Sequence, residues 1–149
     1  MLRNSTLQGS FPKEAIFQNL MMQGMAVSTP ASCLIYSELS NVLSDAEEAS
    51  AAIKGEIDFY LNGKLRWGVE LLVQGREVGE HIERFSPQGK YYPLGVLDYA
   101  VVDFRSSVNG KTTQISHHPK RVTVFFDQEF TSCQYFFGYN DPVVLKLNH

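Results

Sequence analysis

Apolar and polar positions alternate with two different periods along this chain, and the switches mark its elements. In 12-PKEAIFQNLMMQGMAV-27, Ile16, Phe17, Leu20, Met21 and Met25 recur at helical spacing behind an opening proline, which predicts a helix over 12–27. Glu14 falls in its first turn, where a carboxylate suits the helix dipole, and Thr29-Pro30 ends it. The run 33-CLIYSEL-39 reads as a strand, and 44-SDAEEASAAIK-54 as a short helix or a loop. In 76-REVGEHIERF-85, the spacing of Val78, Ile82 and Phe85 predicts a second helix, weakened by Gly79. A turn-rich connection, 86-SPQGKYYPLG-95, precedes the strand 98-DYAVVDFR-105. A polar loop over 106–120 leads to strands over 121–128 and 133–139. Mixed content in this order predicts one central sheet with helices packed on it.

Between the two helices, 55-GEIDFYLNGKLRWGVELLV-73 carries two aromatic-rich runs around Asn62-Gly63, the pattern of a β-hairpin. Glu56, Asp58 and Glu70 lie inside those runs. A two-residue loop would put Asp58 and Glu70 on opposite faces. A three-residue loop, Asn62-Gly63-Lys64, pairs Leu61 with Leu65, sets Glu56 opposite Glu70 and Asp58 opposite Gly68, and gathers all three acids on one face. Like charges facing each other weaken a sheet, and a hard divalent cation among the oxygens, Mg²⁺ or Mn²⁺, would relieve that. The plainer reading is that these acids face water.

With 149 residues the chain fits one domain. Its 44% apolar and 19% charged residues match a globular protein. A net charge of −3 argues against an indiscriminate nucleic-acid binder, although metal-binding carboxylates would themselves lower the total. Cys33 and Cys133 are too few for a zinc site or a disulfide framework and read as buried thiols. No apolar run approaches the ~18 residues of a membrane span, so no membrane partner is expected. Residues 1–11 read as a flexible lead-in or an expression scar, and 12–149 as a single domain.

The strings 56-EIDFYLN-62, 67-WGVELL-72, 80-EHIERF-85 and 89-GKY-91, with 12-PKEAIFQ-18 and 36-YSEL-39 upstream, resemble the nuclease domains of Crinkler-type effectors, members of the PD-(D/E)XK restriction-endonuclease-like superfamily. The likeness runs from about Pro12 to Arg105. It implies an α/β fold with an αβββαβ core, extended here by C-terminal strands, and a domain cut from a longer multidomain protein. It further implies metal-dependent hydrolysis of phosphodiester bonds in DNA, or RNA, by a secreted effector acting inside a host cell, in its nucleus. Asp58 would be the motif aspartate and Glu70 the second carboxylate, with Glu14 and Glu56 near the same Mg²⁺ or Mn²⁺. The superfamily lysine, due two residues after the glutamate, is replaced by Leu72. His81, Arg84 or Lys90 would take over its work, with Arg84, Lys90 and Gln74 on the nucleic acid. The alternative is a catalytically inactive module of the same fold that binds nucleic acid or a host protein.

Plainer roles exist for several of these residues. His81 can pair with Glu77, and Arg84 with Glu80, along a helix surface. Trp67 reads as core, as do Phe125, Phe126, Tyr135, Phe136 and Phe137. His117-His118, before Pro119-Lys120-Arg121, suits an exposed loop or a phosphate contact better than a metal site.

Overall fold

A computed structural model describes residues 11–39, 57–107 and 116–147. The expectations for 1–10 and 44–54, and the placement of Glu56, fall outside them. The order of elements is α1 (Glu14–Ser28), β1 (Ile35–Leu39), β2 (Ile57–Leu61), β3 (Trp67–Val73), α2 (Val78–Glu83), β4 (Asp98–Ser106), β5 (Arg121–Phe126), β6 (Ser132–Phe137) and β7 (Val143–Lys146). The expected α, β, β, β, α, β succession is therefore present, followed by strands, of which β7 went unforeseen. All seven strands form one mixed sheet in sequence order. β3, β4 and β5 are parallel to their neighbours in that set, and the outer pairs are antiparallel.

Alternation along the strands gives the sheet two different faces. Phe59, Leu61, Val69, Leu71, Val102 and Phe104 form one, and Phe17 of α1 packs into it, its ring stacked on Phe104 at 4.2 Å. Ile16 and Leu20, counted with the apolar stripe of this helix, are 51% and 57% exposed. The buried stripe is narrower than expected and runs through Phe17, with Met21 and Met25 against the core. Trp67 is another correction. It is 45% exposed at the rim of an apolar pocket, because it begins its strand beyond the cover of α1. Phe137, also expected inside, is 47% exposed near the edge of the sheet. Phe125 and Cys133 are buried as expected; both cysteines are free.

The opposite face carries Gly68, Glu70 and Leu72 beside Tyr99, Val101 and Asp103, and α2 packs there. Gly68 makes this possible. A Cβ at that position would lie 2.5 Å from the Phe85 ring, which stacks on Tyr99 at 4.2 Å. The entry to α2 is fixed by buried Asp103. Its Oδ1 accepts the Gly75 N–H at 2.7 Å, and its Oδ2 accepts Arg105 Nε and Arg121 Nη2, each at 2.7 Å. Arg121, which opens β5, is thus a buried ion-pair partner. His117 Nδ1 donates to the Gly138 carbonyl at 2.8 Å, and His118 Nδ1 accepts the Lys120 N–H at 3.1 Å, so both histidines brace the turn.

The hairpin register corrects the expected one. Leu61 pairs with Trp67 and Tyr60 with Gly68, so the connection has five residues, 62–66, not three. Parity is unchanged, but the ladder ends one step before Asp58 and Glu70: Ile57, not Asp58, lies against Gly68 on the α2 face, and Asp58 turns to Gln18 of α1. Asn62 Oδ1 accepts the Leu34 N–H at 2.7 Å, which ties the longer loop to the residue before β1 and explains why the tight turn is not used.

Truncating Phe17 to alanine should cost about 3–5 kcal/mol. Ile16→Ala, one residue away, should cost no more than about 0.5 kcal/mol. Equilibrium urea unfolding of the two variants checks the burial of α1.

Candidate active site

β2 and β3 are paired from Leu61↔Trp67 to Phe59↔Val69, one step short of Asp58 and Glu70. At that step the Leu71 N–H donates to Asp58 Oδ2 at 2.7 Å, so a side-chain carboxylate serves where a strand carbonyl otherwise would. Gln18 of α1 donates from Nε2 to Asp58 Oδ1 at 3.0 Å, and Glu14 Oε1 lies 3.4 Å from the same nitrogen. The first helix therefore reaches the hairpin through polar contacts at the point where the two strands stop pairing.

Glu70 is 1% exposed, and both of its carboxylate oxygens are hydrogen-bonded. His81 Nδ1 lies 2.7 Å from Oε2, and Arg84 Nη1 donates to the same oxygen at 3.1 Å. Oε1 accepts the Tyr91 hydroxyl. An ionised carboxylate has no proton to give, so the His81 Nδ1 must carry one toward Glu70. The 3.0 Å approach of Arg84 Nη1 to that nitrogen is then a contact between two donors sharing one acceptor. The surface pairings with Glu77 and Glu80 are not formed; both side chains turn inward, three residues apart on one face of α2. Tyr91 arrives because the chain doubles back after the helix. Its N–H donates to the Arg84 carbonyl at 2.9 Å, and a Cβ at Gly89 would collide with the Glu83 and Arg84 carbonyls.

The charges sense one another. Burial raises the Asp58 carboxyl to about 6, with Glu70 and Glu14 adding to the shift and the Leu71 and Gln18 hydrogen bonds opposing it. Burial also raises Glu14, His81 opposes that, and Glu70 adds to it. Lys90, whose ammonium sits 5.0 Å above the Tyr91 ring, is held below its usual range by burial and by Arg84, against the pull of Glu70 and Asp58. Burial, then the bond to Glu70, pushes the Tyr91 phenol up.

Asp58, Glu70, Glu14, His81, Arg84 and Lys90 thus converge. Leu72 is buried on the Glu70 face. Gln74 lies past the end of β3 with φ +62°, out of strand alternation, and donates to Ser106 Oγ at 3.0 Å. It lines a cleft of about 490 Å³ that also has Lys13, Glu14, Arg76 and His81 in its wall. Sequence reasoning missed Gln18 and Tyr91. Tyr91 stands in the quoted 89-GKY-91 string, and Gln18 lies one helical turn after Glu14.

Asp58, Glu70 and Glu14 are hard oxygen donors of the kind Mg²⁺ or Mn²⁺ takes. Among the described residues, no group of three or more His, Cys, Asp or Glu side chains is arranged to hold an ion. Glu70 in particular has both oxygens engaged. Among the same residues no helix is long and apolar enough to cross a membrane. Comparison with known proteins finds no matching family model, curated protein or solved structure.

A buried acid whose folded pKa is raised from 3.8 to about 6 takes up a proton on folding between those values. Stability from this group is therefore present below about pH 4 and lost as the pH rises through about 6. Urea unfolding at pH 4 to 7 should show a decline that Asp58→Asn removes, by at most about 3 kcal/mol. Tyr91→Phe should cost about 1–3 kcal/mol by leaving a buried carboxylate oxygen without its donor.

Proposed function

We propose that this chain is a metal-dependent nuclease-like domain acting on the phosphodiester bonds of DNA or RNA. The observation that carries the reading is the gathering of three carboxylates, Asp58, Glu70 and Glu14, with a histidine, an arginine and a lysine, His81, Arg84 and Lys90, near one break in a hairpin. The Crinkler-type, PD-(D/E)XK likeness of the same strings supports it, as does the order of elements. By that likeness the domain belongs to a longer effector protein working in a host nucleus.

Asp58 and Glu70, with Glu14 beside them, would hold Mg²⁺ or Mn²⁺. When bound, such an ion polarises the phosphate and lowers the pKa of a water. The rest falls to the chain. Gln18 and the Leu71 N–H fix the Asp58 carboxylate. Arg84 offers a planar fork that matches a phosphate. Lys90 replaces the lysine absent at Leu72. It lies in the connection after α2, near enough for Glu70 and Asp58 to act on its charge, and its burial beside Arg84 favours giving up a proton. Gln74 and the cleft walls flank the strand.

A second reading has its own support. Glu70 is fully engaged by a histidine, an arginine and a tyrosine, as a carboxylate kept for structure would be. A module with this site would bind nucleic acid or a protein without cutting.

Incubation with plasmid DNA and with RNA in Mg²⁺ or Mn²⁺ separates the two. Cleavage by the wild type, reduced at least about 10²-fold in Asp58→Asn and Glu70→Gln, is the expected result. No cleavage by the wild type, or equal cleavage by both variants, would support the binding module.

A further inference from the structure

His81 stands between two environments. On one side its Nδ1 lies 2.7 Å from Glu70 Oε2 and carries a proton toward that carboxylate. On the other side the residue forms part of the wall of the cleft of about 490 Å³. Among the described residues, every hydrogen-bond contact of the ring is made through Nδ1. A neutral imidazole protonated there keeps its lone pair on Nε2, so Nε2 is an acceptor with no partner in the protein. The His81 side chain is 14% exposed, against 2% for the carboxylate behind it.

Glu70 is well placed to hold this state. Arg84 donates to the same oxygen at 3.1 Å and Tyr91 to the other, so the carboxylate is fixed from three directions. A buried carboxylate bonded to one ring nitrogen sets the tautomer of the imidazole. It also stabilises the imidazolium that forms once the other nitrogen takes a proton. Lys13 and Arg76 stand in the same cleft wall and bring positive charge to a site where an anionic phosphodiester could lie.

We propose that His81 is the general base of this site and that Glu70 is its positioning residue. Nε2 takes a proton from a water as the water oxygen attacks the phosphorus. The P–O bond to the leaving oxygen breaks, and that oxygen takes a proton from solvent in the cleft. The imidazolium then returns its proton to solvent. This rests on the nuclease reading above for its substrate. It gives Glu70 a different task there, the orientation of His81 in place of a hold on the ion, and its hydrogen bonds stay intact throughout.

Two variants and one spectrum test it on the whole chain. His81→Asn can keep an N–H on Glu70 but has no atom in the place of Nε2. It should melt within about 4 °C of the wild type and cleave at least about 10²-fold more slowly. Glu70→Gln should slow cleavage while the Mn²⁺ concentration for half-maximal rate stays the same. Nitrogen-15 NMR reads the tautomer with no reaction involved. Neutral His81 should carry its proton on Nδ1 in the wild type and lose that preference in Glu70→Gln. A wild-type ring protonated on Nε2 overturns the proposal whatever the variants do, including any that fail to fold. Wild-type rates in a folded His81→Asn overturn it with the nuclease reading intact. A Glu70→Gln protein whose sole defect is a raised Mn²⁺ requirement does the same. Absence of cleavage by the wild type, on DNA and RNA alike, removes the base and the nuclease reading together.

Discussion

Everything near the site depends on how one buried carboxylate is neutralised. Glu70 stands in the middle of β3 with 1% of its surface exposed. A lone carboxylate there would cost several kcal/mol in desolvation. His81 of α2, Arg84 at its C-cap and a phenol from the following connection offset that cost. The requirement reaches outward. His81 and Arg84 must share one helix face, Phe85 must close onto Gly68, and the chain must return at Gly89 for Tyr91 to arrive. α2 has only six residues, starts from a left-handed Glu77 and makes no side-chain N-cap bond. Its position comes from Glu70 on one side and from the Asp103 hold on Gly75 at its entry.

Asp58 is governed by the opposite logic. It is half-buried beside two other acids, and its neighbours are neutral donors, Gln18 and a backbone N–H. Its proton affinity is raised accordingly. Two carboxylates of one hairpin thus differ in character, one held by a histidine, an arginine and a tyrosine and one held near its protonation point. Such divergence between neighbouring titratable groups is common where a site binds or reacts.

Much of this was legible in the order of residues. The odd parity of the loop followed from Asn62-Gly63 and the acids themselves; the expected shared face of Asp58 and Glu70 did not, because alternation breaks between Ile57 and Phe59 where the two strands stop pairing. The length of the loop did not, because Asn62 spends its side chain on Leu34, in a segment the hairpin pattern cannot see. Helix α1 was readable as a helix, but its buried stripe was overdrawn. Ile16 and Leu20 have the spacing of core residues, and only the placement of the sheet leaves them outside. The inward turn of His81 and Arg84 was readable as a shared face; its target was not, since local pairing to Glu77 and Glu80 fits the sequence equally well. Asp103, Arg105 and Arg121 form a contact between two parallel strands that no local pattern announces.

The account stands on Asp58 and Glu70 occupying one electrostatic site. Carbon-13 NMR titration of the Asp58 carboxyl, in the wild type and in Glu70→Gln, measures this directly. A midpoint at about 6 that falls when the neighbouring charge is removed is the predicted result. A midpoint near the ordinary 3.8, unmoved by the change at Glu70, would contradict it.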